Sequence, residues 1–179
     1  MLRSGDSALL IIDVQTKLAP LMHGKESLIE NIRRMILSCR ALEIPMIWAE
    51  QNPKGLGPTI PEVSGIMDDL EPIEKMTFSC CGSREFMRKL ESVGRKQILV
   101  CGIETHVCIY QTAMDLLRLG YDVHVVADAV SSRTATNREV ALNKIRDLGA
   151  SITSTETALF EIVRVARGPK FKEILRIVK

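Results

Sequence analysis

Cys108 stands where a nucleophile is easiest to build. An apolar run from Gln97 to Cys101 reads as a strand and is broken by Gly102, and a helical spacing then begins, with Ile109, Ala113, Leu116 and Leu117 recurring until Gly120. The thiol therefore falls in the first turn of a helix that follows a strand. The N–H groups of such a turn have no partner within the helix, and the aligned peptide dipoles add partial positive charge, which favours a thiolate. A free cysteine titrates near ~8.5, and a helix N-terminus or a nearby cation moves it to roughly 3.5–7.5. The expectation is a reactive thiolate at the carboxyl end of a strand, the crevice in which open α/β sheets place their ligands. The plainer alternative is that Cys108 is a small buried hydrophobe on the inner face of its helix.

Two charged residues are candidates on position alone. Asp13 ends the apolar run Leu9-Leu10-Ile11-Ile12 and should leave the sheet on the same edge as Cys108, although an aspartate here also suits a turn cap. Lys75 lies in Glu74-Lys75-Met76-Thr77-Phe78-Ser79, a short strand or loop, where a solvated surface charge is the ordinary outcome. Of the other cysteines, Cys101 suits an inert core. Cys80 and Cys81 are adjacent, one expected buried and the other partly exposed, and Cys39 carries no signal. The histidines, His23, His106 and His124, are too scattered for a zinc site, and no phosphate-binding glycine motif is present.

Around these residues, strand-like and helix-like segments alternate. That is the pattern of a mainly parallel sheet with helices on both faces. Strands are expected near Ala8–Asp13, Pro45–Glu50, Gln97–Cys101, Asp122–Ala127 and Ala150–Thr153. Helices are expected over Glu26–Leu42, Ser83–Val93, His106–Leu119, Asn137–Leu148, Thr155–Arg164 and Lys170–Val178. The interval from Gln51 to Phe78 is rich in Pro and Gly, has no clear period, and reads as an irregular loop of the kind that covers a site. The fold expected is α/β, three-layer α/β/α with a mainly parallel, Rossmann-like central sheet, in one domain over residues 1–179.

Composition limits the function classes. A net charge of +2 and an aromatic content of 4% suit neither a nucleic-acid surface nor base stacking. No run approaches the ~18 apolar residues that cross a bilayer. Five cysteines form an odd set without a CxxC pair, which fits a reducing cytoplasm rather than a disulfide framework.

Read together, these segments resemble the isochorismatase-like cysteine hydrolase superfamily, which includes nicotinamidases and N-carbamoylsarcosine amidohydrolase. The resemblance rests on Leu10-Ile11-Ile12-Asp13-Val14-Gln15, on Lys75 with Phe78-Ser79, and on Gly102-Ile103-Glu104-Thr105-His106-Val107-Cys108, in the family's order. Glu50-Gln51-Asn52-Pro53-Lys54-Gly55-Leu56-Gly57 adds to it, as does His124-Val125-Val126-Ala127-Asp128. The resemblance implies amide hydrolysis through a thioester, with Cys108 as nucleophile, Asp13 as general base and acid, and Lys75 as the cation between them. It also implies an oxyanion hole of backbone N–H groups at Glu104 and Cys108, a cis peptide at Ile103–Glu104, and substrate contacts at Gln15, Leu18 and Ile103. The Gln51–Phe78 interval and a neighbouring subunit of a homo-oligomer, dimer or larger, would add to those contacts. The histidines that hold the nicotinamidase metal have no counterpart in Trp48-Ala49-Glu50-Gln51-Asn52-Pro53, so neither metal nor cofactor is expected. The presence of Cys108 favours C–N hydrolysis of a small molecule over the vinyl-ether cleavage of isochorismatases proper. Two rival readings keep the same fold: a catalytically silent scaffold, and a thiol redox sensor with Cys101 as the resolving partner.

Overall fold

In the computed structural model, which describes residues 1–179, six parallel strands form one sheet in the order β3-β2-β1-β4-β5-β6. In chain order the elements are β1 (Ser7–Ile12), α1 (Lys25–Ala41), β2 (Met46–Gln51), α2 (Pro53–Leu56), α3 (Pro61–Ser64), β3 (Ile73–Lys75) and α4 (Arg84–Val93). They continue with β4 (Gln97–Ile103), α5 (Tyr110–Arg118), β5 (Asp122–Ser131), α6 (Ala135–Asp147), β6 (Ser151–Thr153), α7 (Thr155–Val163) and α8 (Pro169–Val178). The three-layer α/β/α arrangement expected from the alternation is present, and the strand order is that of the doubly wound nucleotide-binding folds.

Strand periodicity divides the core between two faces. Leu9 and Ile11 of β1, with Leu99, Cys101 and Ile103 of β4, join the cluster built with α1, α7 and α8. Ala8, Leu10 and Ile12, with Ile98 and Val100, pack on the opposite face against α4, α5 and α6. Both strands are buried along their whole length, as central parallel strands are. Helix ends follow local chemistry: the Ser83 hydroxyl accepts from Phe86 N–H at the start of α4, and Gly94 in the left-handed region ends it.

The interval from Gln51 to Phe78 is more ordered than its composition suggests. It holds the one-turn helices α2 and α3 and the three-residue edge strand β3, all too short to set a period. Strand β5 runs on to Ser131, four residues past the expected end, because its pairing with β4 shifts register between Val100 and Gly102 and then resumes. The expected helix from His106 to Leu119 is two elements, a π-helical turn over Thr105–Ile109 and then α5. No helix is long and apolar enough to cross a membrane.

Gly102 fixes how β1 and β4 meet. Its φ is +120°, and a Cβ at this position would lie 2.1 Å from the Ile12 carbonyl oxygen, which is backbone and cannot give way. Strain and overpacking act together here, so Gly102→Ala should destabilise the fold by about 2–4 kcal/mol, read as a fall in the urea midpoint at unchanged slope.

Candidate active site

The sheet reverses direction of growth between β1 and β4, and in open α/β sheets that point forms the ligand crevice at the carboxyl ends of the strands. Asp13 follows β1 directly, and the turn carrying Cys108 follows β4. Lys75, the last residue of β3, reaches in from the sheet edge. Asp13 has φ of +55°, a left-handed conformation that aspartate tolerates better than most residues and that recurs at functional sites. The three side chains come together and are nearly closed off: Asp13 is 1%, Lys75 4% and Cys108 6% exposed.

Lys75 is the hub. Its Nζ donates to Asp13 Oδ2 at 2.8 Å and to Gln51 Oε1 at 2.8 Å, with the carbonyl oxygens of Phe78 at 3.2 Å and Thr77 at 3.4 Å around it. The Cys108 thiol lies close enough to Asp13 for each to shift the other's titration. Asp13 Oδ1 accepts from no other side chain. One oxygen of the carboxylate is thus held by the ammonium, and the other is free to take a proton.

Electrostatics at the site depart from the helix N-terminus expectation. Burial pushes the Cys108 thiol above its ordinary value, the Asp13 carboxylate pushes it further, and Lys75 opposes both without prevailing. Cys108 is therefore a resting thiol. Cys108 is the fourth residue of a π-helical turn packed into the core beside an anion, so burial and the carboxylate act against the thiolate that an exposed first turn would favour. Burial also raises the Asp13 carboxyl, although Lys75 and the thiol pull it down. For Lys75, burial would lower the ammonium, but Asp13 chiefly, with Cys80 and Cys108, lifts it above its usual value. Proton transfer from the thiol to the carboxylate here takes place beside a fixed cation, which stabilises the negative charge as it passes from one to the other.

The surrounding residues hold this arrangement. A cis peptide joins Ile103 and Glu104, as the resemblance implied. The Glu104 N–H donates to no other group, while the Glu104 carboxylate accepts from Arg133 Nε at 2.7 Å. His106 Nδ1 lies 2.9 Å from Ser132 Oγ, tying the cysteine turn to the end of β5. Gln15 and Ile103, the expected substrate contacts, are both buried. Both N–H donors of Gln15 go to the carbonyls of Gln51 and Gly57, and the Ile103 side chain is wholly buried in the core. Leu18 is packed against that same core. Gln51, legible in the sequence only within a motif and as the start of the Gln51–Phe78 interval, is the Lys75 acceptor that sequence reasoning did not single out. Its place at the carboxyl end of β2, two strands from β4, brings it to the site.

Cys80 is buried and Cys81 partly exposed, as expected of the pair, with burial pushing their thiols up to about 12 and about 11. Cys101 lies in the core beside Cys39. No three His, Cys, Asp or Glu side chains converge as metal ligands do. A surface cavity of about 510 Å³ lies between Met46–Trp48 and α4 and is lined by none of Asp13, Lys75 or Cys108. The chemistry sits instead where the strand ends converge.

Comparison with known proteins agrees with this geometry. The isochorismatase domain family matches residues 7–157. Isochorismatase domain-containing protein 2 of Danio rerio is 42% identical over 173 residues, covering 96% of this chain and 86% of that protein. A solved structure of MAR1 ribonuclease from Caenorhabditis elegans superposes with a TM-score of 0.92 at 38% identity, covering 99% of this chain and 91% of that one. The YcaC gene product of Escherichia coli, described as an octameric hydrolase of unknown specificity, shares the fold with a TM-score of 0.93 at 23% identity, covering 98% and 88%. With a sheet reversing between β1 and β4, Asp13 and Cys108 on either side of that point, and a family match across most of its length, the chain belongs to the isochorismatase family.

Proposed function

We propose that residues 1–179 act as one domain that hydrolyses a small amide-like C–N substrate through a Cys108 thioester. The observation that carries this reading is the meeting of thiol, carboxylate and ammonium from three different strand ends, with only one carboxylate oxygen engaged by the ammonium. A buried, perturbed cluster of this kind is costly to keep without a use in chemistry.

The steps balance within the chain, the substrate and water. Asp13 Oδ1 takes the thiol proton as Cys108 Sγ attacks the carbonyl carbon, and Lys75 stabilises the charge that passes between them. The oxyanion is met by backbone N–H groups, of which Glu104 has its donor unengaged and Cys108 is the second. Collapse expels the amine with the proton returned from Asp13. Water, deprotonated by the same carboxylate, then opens the thioester to release the acid and restore the thiol. Every step uses groups already in place, so the reading calls for neither metal nor cofactor.

A near-closed triad admits only a small molecule. The same closure argues against a polynucleotide substrate for this chain, as does the net charge of +2. Assembly into a homo-oligomer and a reducing, cytoplasmic setting belong to this reading. Met76 and Phe78, exposed immediately after Lys75, give an assembly apolar surface to cover, and all five cysteines are free thiols. The test is a panel of small primary amides and N-carbamoyl compounds, followed by ammonia release and by mass spectrometry of the Cys108 peptide. The expected result is an acyl or carbamoyl adduct on Cys108 that appears and discharges during turnover. Turnover without such an adduct sinks the thioester route, and neither adduct nor ammonia across the panel moves the scaffold reading to first place.

A further inference from the structure

We infer that Gln51, braced by Gln15, is the positioning residue that aims the Lys75 ammonium, an inference that rests on the thiol-hydrolase reading above. Gln51 is paired with Lys75 across the parallel β2–β3 edge, so their side chains leave the sheet on the same face. On the other side of Gln51 there is no strand left to pair with, because β1 meets β2 last at Ile12 and Ala49. The Gln15 carboxamide fills that gap as a missing strand would: its Oε1 accepts from Gln51 N at 2.8 Å and its Nε2 donates to Gln51 O at 2.9 Å. A second donation from Nε2, to Gly57 O at 2.6 Å, fixes the carboxamide itself.

With its backbone held, the Gln51 side chain has one orientation. Nε2 donates to Met76 O at 2.9 Å, which turns Oε1 toward Lys75 Nζ at 2.8 Å. Swapping the amide ends would set N–H against an ammonium, so the network assigns them without ambiguity. Gln51 Oε1 and Asp13 Oδ2 are then the two closest acceptors of the ammonium, and only the first is neutral. It holds the cation in place without adding negative charge near the thiol. Loss of this acceptor leaves the ammonium with Asp13 Oδ2 and the longer contacts to the Phe78 and Thr77 carbonyls, so the cation is held less firmly and its pull on Cys108 weakens.

The test needs no substrate. The second-order rate of Cys108 alkylation by iodoacetamide at pH 9 is measured by peptide mass spectrometry in wild type, Lys75→Met, Gln51→Met and Gln51→Asn. Asparagine is one methylene too short to reach Lys75 and remains polar, so it serves where the methionine variant folds poorly. Because the cation favours the thiolate, Lys75→Met should slow the reaction, and the Gln51 variants should slow it in the same direction, about three- to tenfold. A residue that only packs would, when replaced, leave the rate alone or raise it by loosening access to a buried thiol. An unchanged or faster rate in the Gln51 variants, with Lys75→Met slow, overturns the inference and leaves the hydrolase reading standing. A Lys75→Met rate equal to wild type removes Lys75 as the tuning cation, and both fall together.

Discussion

Asp13→Asn should make Cys108 more reactive toward iodoacetamide while stopping amide turnover in the same protein. The two effects oppose each other because Asp13 does two things to the thiol. As an anion it pushes the thiol's titration up, adding to burial, while Lys75 alone pulls it down. Replacing the carboxylate by an amide removes the first effect and leaves the ammonium acting unopposed. A shift of one pH unit in the thiol is a tenfold change in thiolate, so alkylation at pH 7.5 should rise about tenfold or more. As a base, Asp13 is the carboxylate next to the thiol, and an asparagine can neither accept that proton nor return it to the leaving amine. Loss of a positioned general base costs about 10²–10⁴ in rate, and here one residue serves both half-reactions. Peptide mass spectrometry and ammonia release on the same preparation check both signs. Slower alkylation in the asparagine variant would mean that the carboxylate promotes the thiolate at rest, and the pathway through a neutral resting thiol would have to be abandoned.

The reach of the sequence here has a physical boundary. The apolar runs that became β1, β2 and β4 were legible because central parallel strands are buried on both faces, and the helices between them because each has one buried face. Elements β3, α2 and α3 were not, since three or four residues cannot display a period. Asp13 and Lys75 were each one charge in a chain of 179 residues. Nothing local distinguishes a lysine bound for a 2.8 Å ion pair from one bound for solvent, and only the order β3-β2-β1-β4 joins residues 62 positions apart. The family resemblance grouped Asp13, Lys75 and Cys108 in advance, without the strand order that brings them together. It could not supply the electrostatics, because the local argument counts the helix dipole but not the desolvation and the neighbouring carboxylate that raise Cys108. Gln51 stayed hidden for the same reason: its function depends on β1 stopping short and on Gln15 standing in for it.

Lys75→Met should cost more stability than any other single change at the site, and the double substitution should recover much of it. The ion pair is buried, so removing one partner leaves a carboxylate in a low-dielectric interior, at a cost of about 3–5 kcal/mol. Against a total of about 5–15 kcal/mol for a typical domain, that is a substantial fraction. The loss should depend on pH in a defined direction. Asp13 is already raised by burial with the cation present, and without Lys75 it must rise further. A carboxyl whose folded value lies above its unfolded one binds more protons in the folded state between those two values, so stability falls as pH rises through that window. Lys75→Met should therefore unfold at a higher urea concentration at pH 5 than at pH 8, by a wider margin than wild type. The wild-type lysine behaves in the complementary way: raised by Asp13, it contributes stability that is fully present below its unfolded value and lost as pH climbs through the folded one. That alkaline loss should be missing from the variant. Asp13→Asn in the Lys75→Met background removes the stranded charge, so the pair should be less damaging than the sum of the two single changes, with a coupling of about 1–3 kcal/mol. Additive losses, or a Lys75→Met midpoint independent of pH, would show that the two charges do not depend on each other, and the site would lose the cation on which both the thiol chemistry and the role of Gln51 rest.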